Sequence, residues 1–274
     1  MNTLTDILAA GVPLLLASSG ALVSELAGVM AVFIDGAINL SAFLFYTFTD
    51  ICNSPFPGAF FSCLICMILL CLISLFTEKT GANPFLAGLA FNLFSNGVIS
   101  LFSSVIYKTQ GVLSSSQLLN SSTAQTARTI LTPSAYILIL LFAFLLQKSK
   151  TGRRLRITGS DPDVLFERGV NPSFYRTISW ILSGFSASLA GIFLVLQVSS
   201  FVPNISSGRG WIALAAVFLG RKKSTGIAAA VLVFAAAEYA SNILQSSSIP
   251  SGLLLALPYA AALVLFIVIP VKKR

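Results

Sequence analysis

Apolar positions in this chain fall in long unbroken runs, not in alternating or narrow striped patterns. The runs cover residues 7–23, 29–49, 60–76, 84–107, 133–146, 178–197, 211–220, 224–243 and 249–269. Most approach the roughly 20 residues that a helix needs to cross a bilayer. The pattern predicts an all-α fold, a polytopic transmembrane bundle of about eight to nine segments. A β-barrel is excluded, because its strands of about ten residues alternate apolar and polar positions and these runs do not. One run, 211–220, is only ten residues long. At about 1.5 Å per residue it falls short of a core about 30 Å thick. It is expected to traverse only with help from the irregular stretch 198–210, so that 199–220 lines a buried or wet path. The alternative is a plain external loop followed by a short buried helix.

The main polar interruption is 148–176, KSKTGRRLRITGSDPDVLFERGVNPSFYR, which holds seven of the 17 basic residues and three of the nine acids. Charges at that density cannot sit in hydrocarbon. The Lys/Arg excess places the stretch on the cytoplasmic face. Counting each run as a crossing then brings Lys79, 221–223 and 272–274 to the same face, which collects 14 of the 17 basic residues. Asp6 and Asp50 fall on the other side, as does the Ser/Thr/Gln-rich loop 108–132. The reading is a single transmembrane domain, 1–274, carrying a cytoplasmic loop at 148–176.

Composition fits this class: 56% of residues are hydrophobic and 9% are charged, against about a quarter charged in soluble domains. The net charge of +8 lies in short loops, with no nucleic-acid-binding motif beside it, so no nucleic-acid partner is expected. There is no His, which removes His-based metal sites and triads; neither a metal nor a cofactor is expected. Cys63 and Cys66 have redox spacing but lie inside an apolar run, where small packing residues are the simpler reading. The segment 220–225, GRKKST, lacks the glycine that a phosphate-binding loop needs. If ATP drives this protein, another chain binds it.

Two acids stand inside apolar runs, Asp35 and Glu238. Such residues are functional candidates. Asp35 reads as an anchor for the turn at Gly36 or as an acid near a helix end reaching water. Glu238 reads as facing a lumen or bridging helices, and no His, Lys or Arg lies in any run to partner it. Asn92, Asn96, Gln197, Asn204, Trp211, Asn242 and Gln245 are candidates to line a path for a neutral, ring-bearing solute by hydrogen bonding and stacking. Interhelical hydrogen bonds are the competing reading for each. Within 148–176, Ser160 or Asp161 is predicted to cap a short helix begun by Pro162, with Val164, Leu165 and Phe166 on its apolar face. Gly169 ends it, and Asn171-Pro172 opens the next element. Such a helix suits a partner's groove or, alternatively, the lipid surface.

Gly152-Arg-Arg-Leu-Arg-Ile-Thr-Gly-Ser-Asp-Pro162, Arg168-Gly-Val-Asn171 and Leu182-Ser-Gly184 resemble the permeases of binding-protein-dependent ABC importers. The branch most alike is the nucleoside type, with riboflavin and ribose relatives. Gly208-Arg-Gly-Trp-Ile-Ala-Leu-Ala-Ala216 is similar to that branch's second signature, and Ser24-Glu25, Ala27-Gly28-Val29 and Asp35-Gly36 to its N-terminal one. The chain departs from the usual pattern at Leu26, Ala31, Phe33, Asp35 and 222–224. The resemblance implies a type II importer-like, multi-pass protein of the bacterial inner membrane, without catalysis of its own. It implies ABC ATPase subunits, a second permease chain and a solute-binding lipoprotein or periplasmic protein as partners, besides membrane lipid. It places Gly159, Asp161, Pro162, Arg168, Gly169 and Asn171 at the ATPase contact. A nucleoside is the expected solute, with riboflavin or a simple sugar as alternatives. An ion-coupled secondary transporter is the reading from a different class.

Overall fold

A computed structural model of the chain describes residues 3–114, 133, 136–137, 139–140, 142–144, 146–244 and 256–268. Gln245, the start of the last run, the C-terminal basic cluster and most of the loop 108–132 lie outside them. The described elements are α-helices: α1 (Thr3–Leu26), α2 (Ile34–Cys52), α3 (Pro55–Thr80), α4 (Pro84–Tyr107), α5 (Lys150–Ser160), α6 (Pro162–Glu167), α7 (Pro172–Val198), α8 (Arg209–Leu219), α9 (Ser224–Leu244) and α10 (Leu257–Val268). Further helical residues lie between 133 and 148. Among the described residues, five helices are long and apolar enough to cross a membrane: α1, α3, α4, α7 and α9.

Proline sets several helix starts. Pro55, Pro84, Pro162 and Pro172 each sit in the first turn, where a missing N–H costs nothing. Asn83 and Asn171 cap the turns they precede, accepting from the Phe85 and Ser173 amides, each at 2.9 Å. α3 thus begins at Pro55, although 50–57 reads as a loop in the sequence. A proline in the first turn is compatible with helix, so the loop shrinks to the residues around Asn53.

α2 is the central rod, packed on α3, α4 and α7, with α1 laid along α7. It falls outside the strongly apolar set because it carries Asp35, Asn39, Ser41, Thr47, Thr49 and Asp50. Buried by protein over most of its length, with Asp50 exposed at its C-terminal end, it can hold polar side chains that lipid would reject. Backbones meet through small residues, as expected where helices gain nothing by leaving lipid except close packing and hydrogen bonds. A methyl group added at Gly191 would strike Ser41 and the Ile38 carbonyl of α2. Ser62 of α3 donates to the Ser41 carbonyl at 2.7 Å. Ser183 and Ser186 of α7 donate to the Gly20 and Leu16 carbonyls of α1 at 2.7 and 2.6 Å. Phe33 stacks on Trp180 with ring centroids 4.1 Å apart. All four cysteines are free, and Cys66 is wholly buried, in line with a packing role. The outer faces of α3 and α4 expose Phe60, Ile68, Leu72, Leu93, Phe94, Leu101 and Val105, the surface expected against hydrocarbon.

Candidate functional site

After α7 ends at Ser199, in a left-handed conformation (φ 57°), the chain turns back along α2. Phe201 packs on Phe43 and Tyr46 and exchanges backbone hydrogen bonds with Leu113, 2.9 Å each way. Asn204 and Ser206 lie beside Asn39, and Gly210 lies against Asp35. From Tyr46 to Asp35 is eleven residues of α2, a descent of about 16 Å. The eleven residues of α8 add about 16 Å more. The irregular stretch 199–208 and the short apolar helix α8 thus form one re-entrant segment, half irregular and half helical, packed against α2.

Irregular backbone at this depth must be satisfied by protein, and four polar side chains do so. Asn39 donates to Asn204 (3.3 Å) and Ser206 Oγ (2.9 Å) and accepts from the Ser206 amide (2.9 Å). Asp35 accepts from the Gly210 amide at 3.0 Å. That sets a carboxylate at the N-terminus of α8, where the helix dipole favours negative charge. Arg209 donates to the Ile205 and Ser206 carbonyls at 3.1 and 3.3 Å and pairs with Glu238 of α9. Tyr259 of α10 donates to the Ser207 carbonyl at 2.6 Å. Gly210 has no room for a side chain, because an added methyl would meet the Asp35 backbone at 2.5 Å.

Glu238 has a cationic partner that comes from outside the apolar runs, and the pair bridges α8 and α9. Arg209 lies just outside a run in sequence, but the descending loop carries it to the depth of Asp35. A lone cation and a lone acid in otherwise apolar surroundings were the available signal for this pair. Asn39 was missed as well; it stands in the middle of an apolar run. Asp35 anchors α8, while the turn at Gly36 is held by Asn92. Asn92 accepts from the Gly36 amide at 2.8 Å and donates to the Val32 carbonyl at 2.9 Å. Gln197 donates to the Ala9 carbonyl of α1 at 2.9 Å. Asn96, Asn204 and Trp211 are exposed. The Asn242 side chain lies outside the described residues. The structure gathers Asp35, Asn204, Arg209, Trp211 and Glu238 around the re-entrant segment, while Asn92 bonds the neighbouring Gly36 and Gln197 bonds α1.

Opposite the Phe201 end lies the basic end. α5 is capped by Ser149, which accepts from the Gly152 amide at 2.9 Å. Asp161 stands between α5 and α6, and Pro162 opens α6. Asp161 holds the N-cap position without a side-chain capping bond. Gly169 is left-handed (φ 71°), and the Val170 amide returns to the Leu165 carbonyl at 2.9 Å, closing the helix. Leu165 is buried and Phe166 is 75% exposed. The expected shared apolar face thus divides: Leu165 holds the knob down and Phe166 points away, flanked by exposed Asp163, Glu167, Arg168 and Gly169. Arg176 pairs with Glu78 at 3.7 Å and Lys222 with Glu25 at 3.2 Å. Among the described residues, Glu78, the elbow at 25–28, the stretch 150–176 and the turn at 221–223 meet at one end.

Five helices long and apolar enough to cross a membrane, packed around a segment stitched by polar side chains, define the class, a multi-pass membrane protein. The family model "Branched-chain amino acid transport system / permease component" matches residues 3–270, and the chain belongs to that family. It is a transporter subunit of the ABC permease type, a class that is not itself enzymatic. The chain is similar to the nucleoside ABC transporter permease protein NupC of Lactococcus lactis, 24% identical and covering 92% of this chain and 87% of that protein. It is similar to the guanosine ABC transporter permease protein NupQ of Bacillus subtilis, 26% identical and covering 84% and 79%. Its fold resembles the solved PsaBC structure from Streptococcus pneumoniae in complex with Fab, with a TM-score of 0.55 at 14% identity, over 98% of this chain and 93% of that one.

Proposed function

We propose that the chain is the translocation subunit of an ABC importer in a bacterial inner membrane. In this reading 1–274 is one domain, and 148–176 faces the cytoplasm, where a separate ATPase subunit grips it. A second permease chain completes the path. A solute-binding lipoprotein or periplasmic protein delivers the solute at the opposite end. The observation that carries the reading is the exposed knob 161–169. Phe166 stands out into solvent on a six-residue helix fixed at both ends, which is the form of an anchor for a partner's pocket. Asp161, Arg168 and Gly169 rim it, while Gly159, Pro162 and Asn171 fix its position.

Solute moves past the re-entrant segment. Trp211, Asn204 and Tyr259 are exposed there, and Arg209 is neutralised by Glu238. Aromatic faces and amides with no uncompensated charge suit a small neutral ring-bearing solute. The chain's similarity to a nucleoside permease and a guanosine permease makes a nucleoside the first choice; riboflavin or a simple sugar is the alternative. Phe166→Asp tests the docking. The cognate ATPase should no longer co-purify and uptake should cease, while the variant melts like the parent chain. Full co-purification and uptake would overturn it. Uptake of labelled nucleosides, riboflavin and ribose through the delivering receptor decides the solute. Uptake that collapses with a proton uncoupler at constant ATP would replace the importer with an ion-coupled transporter.

A further inference from the structure

Three segments of the basic end touch, two of them backbone to backbone and the third through a half-exposed lysine. Gly159, the penultimate residue of α5, lies directly on the elbow between α1 and α2. A methyl group added there would strike the Leu26 carbonyl and meet the Gly28 nitrogen at 2.7 Å. Gly28, at φ +81°, faces it with 3.1 Å between its added methyl and the Gly159 Cα. Backbone rests on backbone, with no flexible side chain between. The elbow is closed on itself: Ser24 Oγ donates to the Val29 carbonyl at 2.8 Å, and the Val29 amide returns to the Ser24 carbonyl at 3.0 Å. It carries Glu25, whose side chain is only 7% exposed. One carboxylate oxygen accepts from the Ala31 amide at 3.3 Å. The other takes Lys222, at 3.2 Å.

Lys222 grips the elbow twice, because its ammonium also donates to the Glu25 carbonyl at 3.2 Å. It sits in the turn between α8 and α9, where Arg221 and Lys222 are both left-handed, at φ 53° and 55°. Two successive non-glycine residues in that region are uncommon. Their amides are tied back to the Phe218 and Val217 carbonyls at 3.0 Å, so the lysine is aimed from the end of α8. The other end of α8 is the Gly210–Asp35 and Arg209–Glu238 cluster.

We infer that the Glu25–Lys222 pair is the tie through which movement of the docking knob reaches the re-entrant segment. The inference rests on the docking reading of 161–169 and adds to it a route. α6 joins α5 through one residue, α5 presses the elbow at Gly28, the elbow holds Lys222, and Lys222 moves α8 as a rigid rod. A rod of eleven residues carries displacement over about 16 Å to the residues that face the solute. Glu25 and Lys222 are positioning residues, touching neither ATP nor solute. Their role requires the tie and not merely a folded end.

The test uses the full chain assembled with its cognate ATPase and receptor in proteoliposomes. Bound ATPase, basal ATP hydrolysis and receptor-stimulated uptake per ATP are measured for Lys222→Met, Lys222→Arg, Glu25→Gln and the Glu25→Gln/Lys222→Met double variant. Lys222→Met should keep ATPase binding and basal hydrolysis within about twofold, while uptake per ATP falls about tenfold, inside the range single residues on a coupling route reach. Lys222→Arg should retain most of the uptake, and the double variant should be no worse than the poorer single one. Unchanged uptake per ATP in Lys222→Met, or equal loss in Lys222→Arg, overturns the inference. To separate the tie from folding, Glu25→Cys/Lys222→Cys is made in a chain whose native cysteines are replaced by Ala. A short bis-methanethiosulfonate bridge should restore uptake, and reduction should abolish it again; no restoration overturns the tie. Failure of the docking reading shows differently: Phe166→Asp would then leave ATPase binding intact, whatever Lys222 does.

Discussion

The Arg209–Glu238 pair predicts an asymmetry between its two partners. Their side chains are 21% and 19% exposed, so the pair is mostly but not wholly removed from solvent. Arg209→Met leaves Glu238 without its cation and removes a positive charge close to Asp35. Removing one partner of a buried pair costs about 3–5 kcal/mol, and the residual exposure brings the expectation to about 3 kcal/mol. Glu238→Gln leaves Arg209 with the Ile205 and Ser206 carbonyls and the nearby Asp35. The loss is then one charge-assisted hydrogen bond, about 1.5 kcal/mol. The double variant should cost less than the sum of the single ones by about 1 kcal/mol or more. Thermal unfolding in detergent, followed with a thiol-reactive dye in a chain whose Cys52, Cys63 and Cys71 are replaced by Ala, reads this directly, because Cys66 is fully buried and becomes reactive on opening. At about 2–4 °C per kcal/mol for a chain of this size, Arg209→Met should melt at least about 3 °C below Glu238→Gln. Equal shifts, or strict additivity in the double variant, would show that the pair does not hold the re-entrant segment.

Gly191→Leu should unfold the α2–α7 seam, because the added carbon strikes Ser41 and the Ile38 carbonyl. A loss of about 3 kcal/mol or failure to accumulate is expected, and a wild-type melt would refute the close approach. Ser183→Ala with Ser186→Ala removes three α7-to-α1 hydrogen bonds, to the Gly20 and Leu16 carbonyls and to the Ser19 hydroxyl, and should cost about 0.6 kcal/mol each, measured in the same melt. Gly159→Val should lower the melt by about 1–3 kcal/mol through backbone overpacking on 26–28. Gly97→Ala, which meets nothing within 4 Å, should leave it unchanged within about 0.5 kcal/mol.

Hydrophobic runs, proline and glycine punctuation and the placement of basic residues were enough to read this protein as a helical membrane bundle with one charged end. Those features act locally: a run either matches the bilayer or does not, and Asn171-Pro172 starts a helix wherever it is put. The short run at 211–220 was legible as a problem from length alone. What the chain order conceals is partnership at a distance. Arg209 and Glu238 are 29 residues apart, Asn39 and Ser206 are 167 apart, and Glu25 and Lys222 are 197 apart. Polar groups at membrane depth must find each other or water, but the runs do not say which finds which. The descent of 199–208 along α2 makes those choices, because it sets which carboxylate and which amide lie beside each orphaned backbone group. In the same way Leu165 and Phe166, equivalent as apolar letters, are parted by the packing of α6 into one buried side chain and one exposed.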